Sequence, residues 1–271
     1  MVESGSVAHN AFSDVDASGI APRLLEMMEA TDAAPGAVRL GERTFMALDV
    51  QPGDRVLDAG CGLGFDSLRL AALSGPVGSV LGIDASEAMV AAARARIPAG
   101  TEHVTYDVAD ITALSLPDAS FDVVHCERVL QHLDDPTVAV RELARVLRPG
   151  GRMALIDSDW GTATSSAGTD EQLEHVLPLT SQIAKSRRVG RVLPVLMRDA
   201  GLLVTQVDAD VVMAGPEIVL HPPFTLLPER AEAVGADRAT AQSWVDEVAE
   251  QCRAGILAHP VTMFGVVARK P

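Results

Sequence analysis

The segment Val56-Leu57-Asp58-Ala59-Gly60-Cys61-Gly62-Leu63-Gly64 places three glycines two residues apart, directly after a short apolar run. Glycines at a strand-to-helix turn let backbone N–H groups come close to a ligand, and the N-terminus of the following helix adds a partial positive charge. Asp84 closes the next apolar run, 22 residues after Gly62. A carboxylate at that spacing can accept hydrogen bonds from both hydroxyls of an adenosine ribose. A tight turn without a ligand, followed by an acid favoured by a helix N-terminus, would leave the same two signatures.

Two ligand classes suit such a turn. A dinucleotide fingerprint needs a small residue at its sixth position so that helix and strand pack beside the pyrophosphate. Position 65 is Phe, and Asp58, two residues before the first glycine, would oppose a pyrophosphate. A carboxylate tolerates a cationic ligand better, which favours S-adenosylmethionine with its sulfonium and ammonium groups.

Four segments in order, LDAGCGLG, GIDAS, ADITALSLPDASFDVV and LARVLRPGGRMALID, resemble the class I S-adenosylmethionine-dependent methyltransferases. The likeness is greatest to the small-molecule branch of the ubiquinone/menaquinone-biosynthesis type and is close over about residues 36–157. It implies that Gly60 and Gly62 face the methionine portion of S-adenosyl-L-methionine, that Asp84 holds the ribose and that Ala85 borders the adenosine. It also implies that Asp110 takes the adenine amine, that Ile111 offers its backbone N–H to the ring, and that Cys126-Glu127 touches the methionine moiety. Arg39 matches an arginine that pairs with the methionine carboxylate in some relatives; an exposed helical arginine is the competing reading.

Methyl transfer from a sulfonium is an in-line displacement in which positioning can supply roughly 7–11 kcal/mol, and a hydroxyl or carbon-acid acceptor must also lose a proton. His132 in Leu130-Gln131-His132-Leu133 is the candidate base, because a neutral imidazole suits proton transfer near pH 7. The alternative is a structural histidine tied to Asp134 or Asp135, and His125 reads as a packed residue. Asp157 and Asp159 suggest a divalent metal but have no third ligand at readable spacing, so no metal is expected. Arg187, Arg188 and Arg191 form a basic cluster that reads as a structural surface feature, and Trp160 either stacks on an acceptor ring or packs in the core.

These residues need a scaffold that brings them to one edge. Short apolar runs at 55–59, 80–83, 103–106, 121–126 and 152–157 alternate with helical stretches at 65–73, 86–96 and 137–147. That rhythm predicts an α/β domain with a Rossmann-like, mostly parallel sheet. The family adds up to seven strands with the last, at 261–269, antiparallel. Further helices are predicted at 20–30, 36–49, 171–184, 190–200 and 229–256, and a strand at 202–212. Residues 1–35 are expected to be a leader and lid helix, and 36–271 one methyltransferase domain with insertions at about 158–190 and 213–259. The lid would draw on Phe12, Leu24, Leu25, Met27 and Met28, with His221, Pro222, Pro223 and Phe224 capping from the late insertion.

Composition narrows the partners. With 271 residues, 48% hydrophobic and 22% charged, the chain can bury a core. A formal charge of −15 repels phosphate backbones and anionic headgroups, so neither nucleic acid nor a membrane is expected. Three cysteines, an apolar run too short to span a bilayer and no basic–apolar leader predict a cytoplasmic protein. The expected function is methyl transfer to a small organic acceptor of natural-product metabolism, with S-adenosyl-L-homocysteine as product. A cyclase or isomerase that keeps the cofactor as scaffold, and a nicotinamide oxidoreductase, are the alternatives. Oligomeric state is not legible.

Overall fold

The computed structural model describes residues 28–180, 184–220 and 224–271. Its centre is one seven-stranded sheet: β1 (Arg55–Ala59), β2 (Ser79–Asp84), β3 (Val104–Val108), β4 (Phe121–Glu127), β5 (Leu147–Asp159), β6 (Leu203–Met213) and β7 (Pro260–Arg269). The spatial order is β3-β2-β1-β4-β5-β7-β6. The pairs β1–β2, β2–β3, β1–β4 and β4–β5 are parallel, and β7 runs antiparallel to both β5 and β6. β1 is buried at every position but its first, as expected of a parallel strand covered on both faces.

Two helical layers cover the sheet. On one face lie α1 (Pro35–Leu48), α2 (Phe65–Ser74) and α3 (Glu87–Ala95), which bury Phe45, Leu70 and Val90 against Val56, Val80 and Val104. On the other face α4 (Pro136–Val146) and α6 (Val189–Asp199) bury Leu143 and Leu193 against Leu57, Val124 and Leu155. Ser86 caps α3, its hydroxyl accepting the Met89 N–H at 3.2 Å, and Asp135 caps α4 in the same way for Thr137.

The two late stretches pack on one another over one end of the sheet. They contribute α5 (Asp170–Thr180), α7 (Pro216–Val219), α8 (Leu227–Ala233) and α9 (Arg238–Arg253). This cap has its own apolar core around the fully buried Trp244, whose indole N–H donates to the Ala167 carbonyl at 3.1 Å. The single helix predicted at 229–256 is two helices, because the chain turns at Gly235 with φ +72° and restarts at Asp237, whose side chain caps α9. The predicted helix at 20–30 lies outside the described residues up to its last three; 28–32 are helical. Among the described residues, no helix is long and apolar enough to cross a membrane.

Candidate active site

The strand order reverses between β1 and β4, and chains leaving those two strands diverge to opposite sides. Open α/β sheets bind ligands in the crevice this creates at the carboxyl ends of the strands. A cavity of about 660 Å³ lies there.

The glycine turn forms one wall. Gly60 has φ +75°, and a Cβ on it would collide with Val129. Gly62 has φ +50°, and its N–H donates to Asp84 Oδ2 at 3.0 Å. Asp84 Oδ1 accepts the Ser86 N–H at 3.0 Å, so the acid is fixed by two backbone donors, one from the turn after β1 and one from its own turn. Burial raises the Asp84 carboxyl, and these same donors oppose that shift. Each carboxylate oxygen can accept a second hydrogen bond, so the fixed acid remains able to receive a diol. Ala85, Asp110 and Ile111 continue this wall. Asp110 Oδ1 takes both the backbone N–H and the hydroxyl of Thr112, at 2.8 and 2.7 Å, which orients the carboxylate.

β4 delivers a charged floor. His125 Nδ1 lies 2.8 Å from Asp58 Oδ1, and Ser67 donates its hydroxyl to Asp58 Oδ2 at 2.5 Å. Glu127 is at the strand exit, where burial lifts its carboxyl to about 7. Arg128 follows with φ +55°; its guanidinium pairs with Asp32 and lies 3.4 Å from Glu127. Neither Arg128 nor Asp66 belongs to a motif legible in the sequence. Their positions beside Glu127 and in the first turn after the glycines were the available signals.

Arg39 is not brought here. It lies on the outer face of α1, where its Nη2 is 2.6 Å from Asp210 on β6, and it does not line the cavity. Arg43 joins the same surface pair through Asp208 and Asp210. Among the described residues, the guanidinium that lines the cavity is that of Arg128.

His132 does line the cavity, in a 3₁₀ turn spanning Leu130–His132. Burial, together with the charges of Arg128 and Lys185, lowers its pKa to about 3. The ring is neutral as expected, but it is a far weaker base than the sequence implies.

Asp157 and Asp159 are both buried on the strand side facing away from the cavity, while Ser158 between them faces it. Asp157 accepts backbone N–H groups from Gln131 and Ser158, and Asp159 pairs with Arg191. These bonds give the acids and Arg191 structural work.

The far end of the cavity is apolar. Trp160, Ile218, Phe224, Val261 and Met263 enclose it. The Trp160 and Phe224 rings are 6.5 Å apart, and the Trp160 N–H is held by Gln131 Oε1 at 2.6 Å. Met28 reaches the cavity; Phe12, Leu24, Leu25, Met27, His221, Pro222 and Pro223 lie outside the described residues.

A family profile described as "Methyltransferase domain" matches residues 57–155, the segment that builds the glycine turn, Asp84, Asp110 and the exit of β4. The chain is 38% identical over 150 residues to 27-O-demethylrifamycin SV methyltransferase of Amycolatopsis mediterranei, covering 55% of this chain and 54% of that one. Residues 57–155 are a methyltransferase domain. A longer match, 37% over 258 residues, joins this chain to an uncharacterized 37.1 kDa protein in transposon Tn4556 of Streptomyces fradiae, covering 90% of this chain and 70% of that one. The fold is shared with Haemonchus contortus phosphoethanolamine N-methyltransferase 2 in complex with S-adenosyl-L-methionine (TM-score 0.61, 20% identity, 98% of this chain and 61% of that one). The chain spans about half the length of the rifamycin enzyme it resembles.

Proposed function

We propose that this methyltransferase carries a methyl group from S-adenosylmethionine to a small organic acceptor of the kind found in natural-product metabolism. The observation that carries the reading is the continuity of one cavity, from the Asp84-fixed glycine turn to the apolar chamber under the cap. Its volume of about 660 Å³ falls in the usual range for small-ligand sites. The rifamycin-type relative supports an acceptor of this class.

When bound, the cofactor supplies an electrophilic methyl group. The protein's part is to bind, orient and exclude water. Asp84 receives the ribose hydroxyls, Ala85 borders the adenosine, Asp110 and Ile111 meet the adenine edge, and Gly60 and Gly62 let the backbone approach the methionine end, where Glu127 and Arg128 supply charge. Trp160, Phe224 and Met263 hold the acceptor in a dry chamber, where fixed geometry does most of the work. With its pKa near 3, His132 serves better to orient an acceptor by a hydrogen bond than to store its proton.

We assign residues 36–271 to one methyltransferase domain, its cap formed by the stretches at about 158–190 and 213–259, with 1–35 as leader and lid. A cytoplasmic setting is supported by three cysteines in no disulfide, and the net charge of −15 argues against nucleic acid as substrate. The test is to incubate the protein with S-adenosylmethionine and a panel of phenolic, amine and macrocyclic acceptors. Stoichiometric S-adenosylhomocysteine should appear with the methylated product. Conversion of an acceptor without S-adenosylhomocysteine would replace methyl transfer with a cyclase or isomerase activity.

A further inference from the structure

Ser158 stands on the border between the two ends of the cavity. Two residues earlier in β5, the Ile156 carbonyl accepts the Arg128 N–H at 2.8 Å, which sets Ser158 beside the charged floor at the exit of β4. Across the ladder its partner is Met263, which belongs to the apolar end. Ser158 is 6% exposed and lines the cavity. Its backbone is firmly held. The N–H donates to Asp157 Oδ1 at 2.8 Å, and α6 packs so close behind that a Cβ on Gly190 would lie 3.0 Å from the Ser158 carbonyl carbon.

The Ser158 hydroxyl is uncommitted: its Oγ has no hydrogen-bond partner among the described residues. Two other polar side chains at this end are already used. Gln131 Oε1 takes the Trp160 N–H at 2.6 Å, and Gln131 Nε2 donates to the Arg128 carbonyl at 3.3 Å. A sheltered hydroxyl without a partner is costly, and a serine can either donate to a ligand oxygen or accept from one.

The apolar end adds a second requirement. Of the described residues that enclose it, Trp160, Ile218, Phe224, Val261 and Met263, none is charged. Lys185 and Asp134 also line the cavity, but they pair with each other at 2.8 Å, and Asp134 is largely exposed. An ammonium, carboxylate or phosphate entering the chamber would lose its hydration without gaining a counter-ion. An uncharged molecule meets no such cost.

We propose that the acceptor is an uncharged, largely apolar alcohol, phenol or enol that is methylated on a hydroxyl held by Ser158 Oγ. This rests on the methyl-transfer reading above and names its acceptor class. In the step, the acceptor oxygen forms a bond to the methyl carbon as the C–S bond breaks. The electron pair goes to sulfur, and the hydroxyl proton is released to solvent. Ser158 contributes position: one hydrogen bond at the border fixes the oxygen while the rest of the acceptor lies among Trp160, Phe224 and Met263.

The test uses the protein loaded with S-adenosylhomocysteine and four probes, read by calorimetry: 2-naphthol, naphthalene, 2-naphthoate and 2-naphthylmethylammonium. 2-Naphthol should bind about 10-fold more tightly than naphthalene, and both charged probes more weakly than naphthalene. Ser158→Ala should bring 2-naphthol to the level of naphthalene. Naphthalene and S-adenosylhomocysteine affinities should be unchanged in that variant, which also shows that the fold is kept. Ser158→Cys keeps the shape with a weaker hydrogen-bonding group and should behave like Ser158→Ala. With S-adenosylmethionine, the unaltered protein should form 2-methoxynaphthalene, and Ser158→Ala should lower kcat/KM for 2-naphthol about 10-fold.

A charged probe that binds as tightly as 2-naphthol would overturn the proposal, as would unchanged 2-naphthol affinity in Ser158→Ala. Methylation of 2-naphthol on carbon, binding without methylation, or no binding of any probe to the loaded protein would do the same. If the protein does not bind S-adenosylhomocysteine, the methyl-transfer reading fails first and this proposal with it.

Discussion

The half of the cavity that we assign to the cofactor is drawn from successive exits of β1, β2, β3 and β4, so most of its residues lie between Asp58 and Asp135 in chain order. The half that we assign to the acceptor is gathered from Met28, from Ser158 and Trp160, from the described residues between Val212 and Phe224, and from the start of β7. The first half is built at strand exits, where backbone N–H groups of adjacent turns fix its acids, as Gly62 and Ser86 fix Asp84. The second half depends on distant segments packing around Trp244 and Phe224. The two halves should therefore fail separately: damage to the cap should cost acceptor binding and stability, and damage to the turns should cost cofactor affinity.

The largest effect is expected from Trp244→Ala, which deletes the centre of the cap core and orphans the Ala167 carbonyl. A loss of about 3–5 kcal/mol is expected from such truncations. Differential scanning calorimetry should show a lower or split transition, with S-adenosylhomocysteine affinity largely kept. If the variant loses cofactor affinity in proportion, the halves are one cooperative unit.

Asp84→Ala is the mirror experiment. Removing a charged acceptor of two hydroxyls should cost about 1.5–3 kcal/mol, roughly 10- to 150-fold in affinity, with the acceptor chamber intact. An unchanged dissociation constant for S-adenosylhomocysteine would remove the ribose role from Asp84.

A smaller, pH-dependent effect sharpens the boundary at β5. Burial lifts the Asp157 carboxyl to about 7, against the N–H groups of Ser158 and Gln131. In the unfolded chain it titrates near about 4, so the folded state holds more protons between those values. Its stabilising contribution is then complete below about pH 4 and is lost as pH rises through about 7. Asp157→Asn gives up one of the two acceptors, so it should be weaker throughout yet show a flatter dependence in urea unfolding at pH 5 and 8. The same slope as the parent would mean that Asp157 is ionised when folded.

The smallest effect is expected at His132. A working general base is worth roughly 10²–10⁴-fold in rate, but a ring with a pKa near 3 should cost less than about tenfold on His132→Ala, with cofactor affinity and melting temperature little changed. A thousandfold loss in turnover in a stable protein would restore His132 as the base.

Much of the fold was legible because its signals are short-range. Apolar runs bounded by Gly and Pro marked the strands, and Ser86 marked the start of α3 as its observed cap. Helix boundaries in the cap were less legible: apolar spacing continues across Gly235, and only the turn there separates α8 from α9. In the site, Gly60, Gly62, Asp84, Ala85, Asp110, Ile111, Glu127 and His132 all reach the cavity. Arg39 does not, because a helix position reveals which face a residue occupies only once the partner of that face is known.

The sequence by itself determined the βα rhythm, the left-handed glycine turn and the order in which the acids leave the strands, because each depends on neighbours a few residues apart. Only the tertiary structure decided that Arg128 and not Arg39 supplies the cavity's guanidinium, that Asp157 and Asp159 turn away while Ser158 faces in, and that His132 loses its basicity. These outcomes depend on burial and on charges brought in from other elements. Desolvation and Coulomb interactions act through space and take their size from the folded surroundings, which residue spacing along the chain does not encode.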